Sequence, residues 1–354
     1  MKFEIIKVLV IFLNLKLYCY RRYILPKDIC SIYTVGWGRR KSGYRAVKVA
    51  EFFNTEFLLL EDGFVRSVRR NDPALSFVFD ATSIYYDSTK PCDFEGLAQK
   101  QLSKSEIRRS CNIIGMWQSE RLSKYNAERD ASVPLSNPFV LVCDQICSDA
   151  SISYGLASAD SFTFMLDAAL AEYPRHLIVL KTHPDVAIRG KKGHFDLDTL
   201  SKDKRIKIIS DPVHPSKFIE HADAVYTVTS QLGFEALIWG KRVRCFGMPF
   251  YAGWGLTEDE LPAPDRRKPV SLEQLIDAAL VKYPRYIDPV TMQRCEPEVA
   301  FRHVDLQRRK RQEFDTKITA AGFSRWKRPF IEAFLQGSEV AFVNKLDSHR
   351  AKTI

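Results

Sequence analysis

The chain has 354 residues, 45% of them hydrophobic and 27% charged, a balance that excludes a disordered polypeptide and is long enough for two cores of ordinary domain size. Its formal net charge of +10 and pI near 9.1 suit a polyanionic partner, whether nucleic acid, an anionic bilayer or a charged glycan. The eight cysteines form no C-x-x-C pair, and Cys143 and Cys147 lack matching histidines, so reduced thiols are expected rather than a zinc site.

Ile5 to Tyr20 is apolar but is broken by Lys7 and Lys16 and followed by Arg21 and Arg22. It is too short and too charged for a membrane span and lacks a small-residue cleavage site, which leaves a core element or an interfacial segment. Ser31 to Val35 then reads as a strand broken by Gly36-Trp37-Gly38, Tyr44 to Phe53 as a helix and Phe57 to Leu60 as the next strand. After Pro134 and Pro138 the rhythm restarts. Phe139 to Cys143, His176 to Leu180, Ile206 to Ser210, Ala224 to Val228 and Arg242 to Phe246 read as strands, with helices at Phe162 to Ala171 and Phe234 to Trp239.

Strands alternating with helices imply parallel sheets covered on both faces. The expected fold is α/β, with two Rossmann-like domains facing a cleft at residues 1–135 and 136–295. From 296 to 354 the strand signal stops, and a basic, helical segment is expected. It includes Gln307 to Arg311 and the aromatic-basic run Phe323 to Phe330, which suits either a solvated helix face or a membrane interface.

Polar groups cluster where apolar runs end, the place where ligands bind in open α/β sheets. Glu61, Asp62 and Gly63 follow Leu58 to Leu60. A carboxylate there can act as general acid or base, and Arg66 can grip a sugar carboxylate; an acidic turn capping a helix is the plainer reading. Asp144, Gln145 and Asp149 follow Phe139 to Cys143, and either acid is a catalytic candidate unless Asp149 only caps the next helix. Lys181 and His183 follow Val179 and Leu180, an arrangement for anion binding, although a lone histidine is more often structural. Thr227 to Ser230 with Gln231, Gly233 and Glu235 reads as strand, hydroxyl turn and helix start, a phosphate cradle. No Walker lysine spacing is present, so an ordinary nucleoside triphosphatase is not expected, and neither is a catalytic metal or a cofactor.

In order and spacing these segments resemble the KpsC-type β-Kdo glycosyltransferases of bacterial capsule polysaccharide biosynthesis, over residues 30–335. The most specific parts are Thr227 to Leu237 and Tyr251-Ala252-Gly253-Trp254-Gly255-Leu256-Thr257; Gly36-Trp37-Gly38, Glu61 to Ser67, Asp144-Gln145, Lys181 to Pro184 and Phe323 to Lys327 also match. The resemblance implies a GT-B-like, metal-independent enzyme that moves Kdo from CMP-β-Kdo with retention, through a covalent intermediate on a carboxylate. It also implies a phosphatidylglycerol-linked acceptor, a cytoplasmic location on the anionic inner membrane surface, other capsule-assembly enzymes as partners, and no nucleic acid.

From the resemblance, Asp149 in a Gln-x-x-x-Asp pattern is expected to be the nucleophile, with Asp144 as the alternative, and Glu61, beside Asp62, the acid/base. Lys181, His183 and Ser230, with Gln145, Thr229, Gln231, Gly233 and Glu235 around them, would hold CMP, and Arg66 the Kdo carboxylate. The best-known family members carry two transferase modules in tandem and this chain has one. A transferase for another CMP-activated acid, sialyltransferase-like, and a non-catalytic capsule assembly or export scaffold are the alternatives.

Overall fold

The computed structural model describes residues 33–130 and 138–345; the apolar-basic stretch near the N-terminus and the proline-bounded junction at 131–137 lie outside the described residues. Two sheets organise the chain. The first runs in the order β1 (Tyr33–Trp37), β2 (Glu56–Asp62), β3 (Ser76–Asp80), β10 (Pro284–Ile287) and β11 (Arg294–Cys295). β1 and β2 are parallel, joined by the helix Lys41–Phe53. That helix lies close to β1 because Gly43 packs on the carbonyl of Gly38, leaving no room for a Cβ, and because Ala46 and Ala50 are its buried contacts. It stops at Asn54, whose left-handed φ of 50° ends the turn.

The second sheet is parallel throughout, in the order β6 (Ile206–Ile209), β5 (Leu177–Lys181), β4 (Phe139–Cys143), β7 (Ala224–Thr227), β8 (Arg242–Cys245) and β9 (Glu258–Asp259). All five residues of β4 are buried. Val140 and Val142 enter one core with Phe162, Met165 and Leu166, while Leu141 and Cys143 enter the other with Phe234 and Val243. A strand buried on both faces reads as an unbroken apolar run, which is why the sequence shows it clearly. The strand order reverses at β4, so the loops after β4 and β7 flank the crevice where such sheets bind ligands.

The α/β class and the two-unit, GT-B-like arrangement are as expected, but three details differ. The first sheet is mixed: β3, β10 and β11 each run antiparallel to their neighbours. Residues 284–295, expected in the second domain, complete the first sheet, Arg285 pairing with Phe77. Beyond the helix Pro297–Gln312 the C-terminal segment is not wholly helical. Lys317–Ala321 (β12) and Glu339–Val343 (β13) form a two-stranded parallel sheet around the short helix Arg328–Phe334. These strands are short and, apart from Ala320, half-buried or exposed, so they carry little apolar signal. Arg129 fastens them to the body by donating to the carbonyls of Phe314 and Gly337. No helix among the described residues is long and apolar enough to cross a membrane.

One core runs beneath both units. Phe64, from the turn after β2, meets Phe250 at 4.6 Å and Phe234 at 5.7 Å between ring centroids. Trp117, on the helix Lys104–Ser119, packs against Phe234 and Phe301. Phe64 is fully buried, so Phe64→Ala is expected to lower unfolding stability by about 3–5 kcal/mol, read as an earlier urea midpoint at an unchanged slope.

Candidate active site

Glu61 and Asp62 close β2 at the rim of the crevice. Burial pushes the Glu61 carboxyl up to about 7; Lys124 and Arg40 oppose the shift, and Asp62 adds to it. The turn at Gly38, which ends β1, is the reason Glu61 is so enclosed. A side chain at Gly38 would strike both the Tyr86 hydroxyl and the Glu61 carboxylate, and its φ of +32° also favours glycine. The Tyr86 hydroxyl in turn accepts the Arg39 N–H at 2.8 Å. Asp62 pairs with Arg66 at 3.1 Å. Arg66 also donates to the Ser67 hydroxyl and to the carbonyls of Arg70 and Asp72, each at 2.9 Å, so its guanidinium builds its own loop.

The two acids after β4 have different surroundings. Asp144 is buried, and its Oδ1 accepts the N–H groups of Gln145 at 2.8 Å and His194 at 3.1 Å. Gly193 packs against its other oxygen, and burial pushes the carboxyl up to about 6. Asp144 thus anchors the 190–195 loop. Asp149 is half-buried and caps the short helix Ala150–Tyr154, its Oδ1 accepting the Ser151 N–H at 2.9 Å. Its Oδ2 meets the Gln145 amide at 3.3 Å. Gln145 is buried and reaches across to the turn after β7, donating to Thr229 Oγ1 at 3.0 Å and accepting the Thr229 N–H at 2.9 Å. The Gln-x-x-x-Asp spacing therefore ties the carboxylate to the hydroxyl turn.

His183 accepts the Asp185 N–H on Nδ1 at 3.1 Å. Burial, then the charge of Arg70, hold the imidazole down to about 4, so at neutral pH it is uncharged with its proton on Nε2, a donor. Lys181 is buried, and its Nζ has no hydrogen-bond partner; burial holds the ammonium down to about 8. In this conformation it lies beneath the crevice rather than in it. Ser230 caps the helix Gln231–Ile238, accepting the Leu232 N–H on Oγ and keeping its own hydroxyl proton to give.

Gln231, Gly233 and Glu235 support this turn from below. Gln231 donates to the Phe64 carbonyl at 2.8 Å, Gly233 gives room to the Tyr251 hydroxyl, and that hydroxyl donates to the Ser230 carbonyl at 2.5 Å. Glu235 is buried, accepts from Ser123 Oγ at 3.0 Å and Gln231 at 3.2 Å, and is pushed up to about 8 by burial. Tyr251 to Gly255 braces the turn: the Gly253 N–H donates to Asp259 at 2.7 Å and the Trp254 indole to the Phe250 carbonyl at 2.8 Å.

The structure adds Lys124, which no sequence pattern marks. Burial opposes its positive charge, but Tyr125, Asp62, Glu61 and Asp149 outweigh burial and hold the ammonium above its usual range. Glu61 and Asp62 of the first unit and Asp149 of the second thus converge on one cation. His183 is also close enough to feel Lys124 and Asp149. The arrangement offers a half-buried carboxylate, a carboxyl that titrates near neutrality, a neutral imidazole donor and a hydroxyl at a helix N-terminus, which is equipment for displacing a phosphate from carbon.

A family described as "Capsule polysaccharide biosynthesis protein" matches residues 33–132 and 99–286. The chain is 35% identical over 317 residues to the capsule polysaccharide modification protein LipA of Neisseria meningitidis serogroup A, covering 85% of this chain and 45% of LipA. It is 36% identical over 238 residues to the lipopolysaccharide-processing protein LpsZ of Rhizobium meliloti, covering 64% of this chain and 53% of LpsZ. The chain therefore spans about half the length of these curated relatives. Among solved structures, the Thermosulfurimonas dismutans KpsC β-Kdo 2,4 transferase superposes with a TM-score of 0.77 at 34% identity, covering 85% of this chain and 95% of that one. The β-Kdo 2,7 transferase of the same KpsC gives 0.61 at 27%, covering 86% and 96%.

Proposed function

Because the chain belongs to the capsule polysaccharide biosynthesis protein family, with a KpsC-type fold, we propose that it is a retaining β-Kdo glycosyltransferase acting in capsule assembly. The donor is CMP-β-Kdo and the acceptor a lipid-linked, Kdo-terminated glycolipid built on phosphatidylglycerol. The observation that carries this reading is that Glu61 and Asp149, from two units, both act on the Lys124 charge at a crevice beside His183 and Ser230.

In the first displacement an Asp149 oxygen attacks the anomeric carbon of Kdo. The bond from that carbon to the CMP phosphate oxygen breaks, and CMP leaves with the electron pair. In the second, an acceptor hydroxyl oxygen attacks the same carbon, Glu61 takes the hydroxyl proton, and the Asp149 carboxylate is released. Two inversions retain the β configuration. His183 Nε2 and the Ser230 turn face the phosphate; Lys181, buried below, acts through its charge. The surroundings of Asp144, tied to the 190–195 loop, favour Asp149 as nucleophile. The greater likeness to the 2,4 than to the 2,7 transferase supports a 2,4 linkage.

The enzyme works at the cytoplasmic face of the inner membrane, alongside other capsule-assembly enzymes. Trp326, Phe330 and Phe334 are 67%, 59% and 84% exposed beside Arg325, Lys327 and Arg328, a mixture that suits an anionic interface. Replacing these three aromatics with alanine is expected to abolish co-sedimentation with phosphatidylglycerol vesicles while leaving turnover of a water-soluble acceptor intact.

The deciding experiment is incubation with CMP-Kdo and a synthetic Kdo-terminated glycolipid. Mass spectrometry is expected to show addition of Kdo, and NMR a β-anomer. Turnover with CMP-sialic acid in place of CMP-Kdo, or no release of CMP with any acceptor, would overturn the reading.

A further inference from the structure

The crevice gathers three carboxylates, Glu61, Asp62 and Asp149, around the place where a carboxylate must attack. The donor adds two negative charges of its own, a phosphate and the carboxylate borne by the anomeric carbon. The nucleophile therefore approaches a carbon whose substituent repels it, unless a cation stands beside that substituent. The sequence offers Arg66 for this, but its guanidinium is bound to Asp62, Ser67 and two carbonyls of its own loop.

Lys124 is placed differently. Its carbonyl accepts the N–H groups of Arg66 at 3.0 Å and Ser67 at 3.4 Å, and its own backbone lies close enough to the Glu235 carboxylate of the second unit to favour the ionised form. The residues on either side are equally fixed, Ser123 Oγ by Glu235 at 3.0 Å and the Asn126 N–H by the Val68 carbonyl at 2.8 Å. Tyr125 is covered by the guanidinium of Arg70 at 4.6 Å, and Arg70 pairs with Asp185 across the units at 2.7 Å. The side chain of Lys124 thus starts from a rigid floor where the two units join. It is half-buried, and among the described residues its ammonium makes no ion pair within 4.0 Å. It lies in the field of acids from both sides of the crevice, free to take a ligand.

We propose that Lys124 binds the carboxylate of the sugar acid being transferred, and so positions the anomeric carbon against Asp149. This rests on the transferase reading above. The CMP phosphate has other partners on the second unit, the His183 Nε2 proton and the hydroxyl turn at Ser230. Lys124 instead feels the charges of Glu61 and Asp149, the proposed acid/base and nucleophile, so the carboxylate beside the anomeric carbon is the anion it would meet.

The test separates the two anions of the donor. Dissociation constants for CMP and for CMP-Kdo are measured by calorimetry on Lys124→Gln and Lys124→Arg, each in the Asp149→Asn background so that donor is not consumed. Lys124→Gln is expected to weaken CMP-Kdo on the order of 10- to 100-fold, the effect of losing a charge-assisted contact, while CMP changes less than about 3-fold. Lys124→Arg, which keeps the charge, should recover part of the loss and guards against a Gln variant that fails to fold. Equal weakening of CMP and CMP-Kdo would assign Lys124 to the phosphate and overturn the proposal, as would unchanged binding of both. If the Asp149→Asn parent prefers CMP-Kdo over CMP and Lys124→Gln keeps that preference, only this assignment fails. If the parent binds neither nucleotide, the transferase reading fails with it.

Discussion

Asp149→Asn is expected to lower transfer from CMP-Kdo by on the order of 10³-fold or more while CMP still binds, because in the proposed mechanism it removes the attacking carboxylate and little else. Asparagine is the informative replacement. Asp149 caps the helix Ala150–Tyr154 through its bond to the Ser151 N–H, and asparagine caps as well as aspartate does. Alanine would remove the cap too, at a cost of about 1 kcal/mol, and would mix a structural effect with a chemical one. The matching control is Asp144→Asn. Its carboxylate holds the N–H groups of Gln145 and His194, so it should loosen the 190–195 loop and retain measurable transfer. If Asp149→Asn turns over normally and Asp144→Asn does not, the two roles are reversed. Rapid-quench mass spectrometry of wild type with donor alone offers a second check, since a Kdo adduct should appear on the peptide containing Asp149.

Glu61→Gln is expected to reduce transfer by about 10²- to 10⁴-fold and to remove a pH limb centred near 7. Burial raises the Glu61 carboxyl to about 7, so the side chain is mainly protonated below that pH and mainly ionised above it. Deprotonation of the acceptor hydroxyl needs the ionised form. The rate of the second displacement should therefore rise as pH increases through 7 in wild type and stay level in Glu61→Gln. CMP itself leaves as a phosphate and needs little help from an acid. Adduct formation should thus survive in Glu61→Gln and accumulate, in contrast to Asp149→Asn, where no adduct forms. A pH–rate profile that keeps its limb in Glu61→Gln would remove Glu61 from the role of base.

The second unit was legible in the sequence and much of the first was not, for a physical reason. β4, β5 and β7 are covered on both sides, so Phe139 to Cys143 and its neighbours are continuous apolar runs bounded by polar turns. Their carboxyl ends could be found, and with them Asp144, Gln145, Asp149, His183 and Ser230. In the first sheet, Pro284–Ile287 begins with a proline and follows the helical residues Asp277–Lys282 directly, so nothing local marks it as the partner of Ser76–Asp80. Arg66 was visible as a cation after an acidic turn, but its commitment to Asp62 and to carbonyls up to Asp72 depends on how the loop closes. Lys124 was invisible for the same reason. It follows no strand and matches no motif, and it is the tertiary pairing of its segment with Arg66 to Val68 and Glu235 that brings it to the crevice.

The return of Pro284–Cys295 to the first sheet has a consequence for how such units are copied. The second unit is inserted within the first, because the strand that covers the β3 edge is made only after the whole second sheet has been traversed. A polypeptide ending near residue 135 would leave the backbone of Ser-Phe-Val-Phe-Asp at 76–80 open to pairing with other molecules. Partial duplication is therefore penalised by misassembly, and the heritable block is the entire two-sheet module.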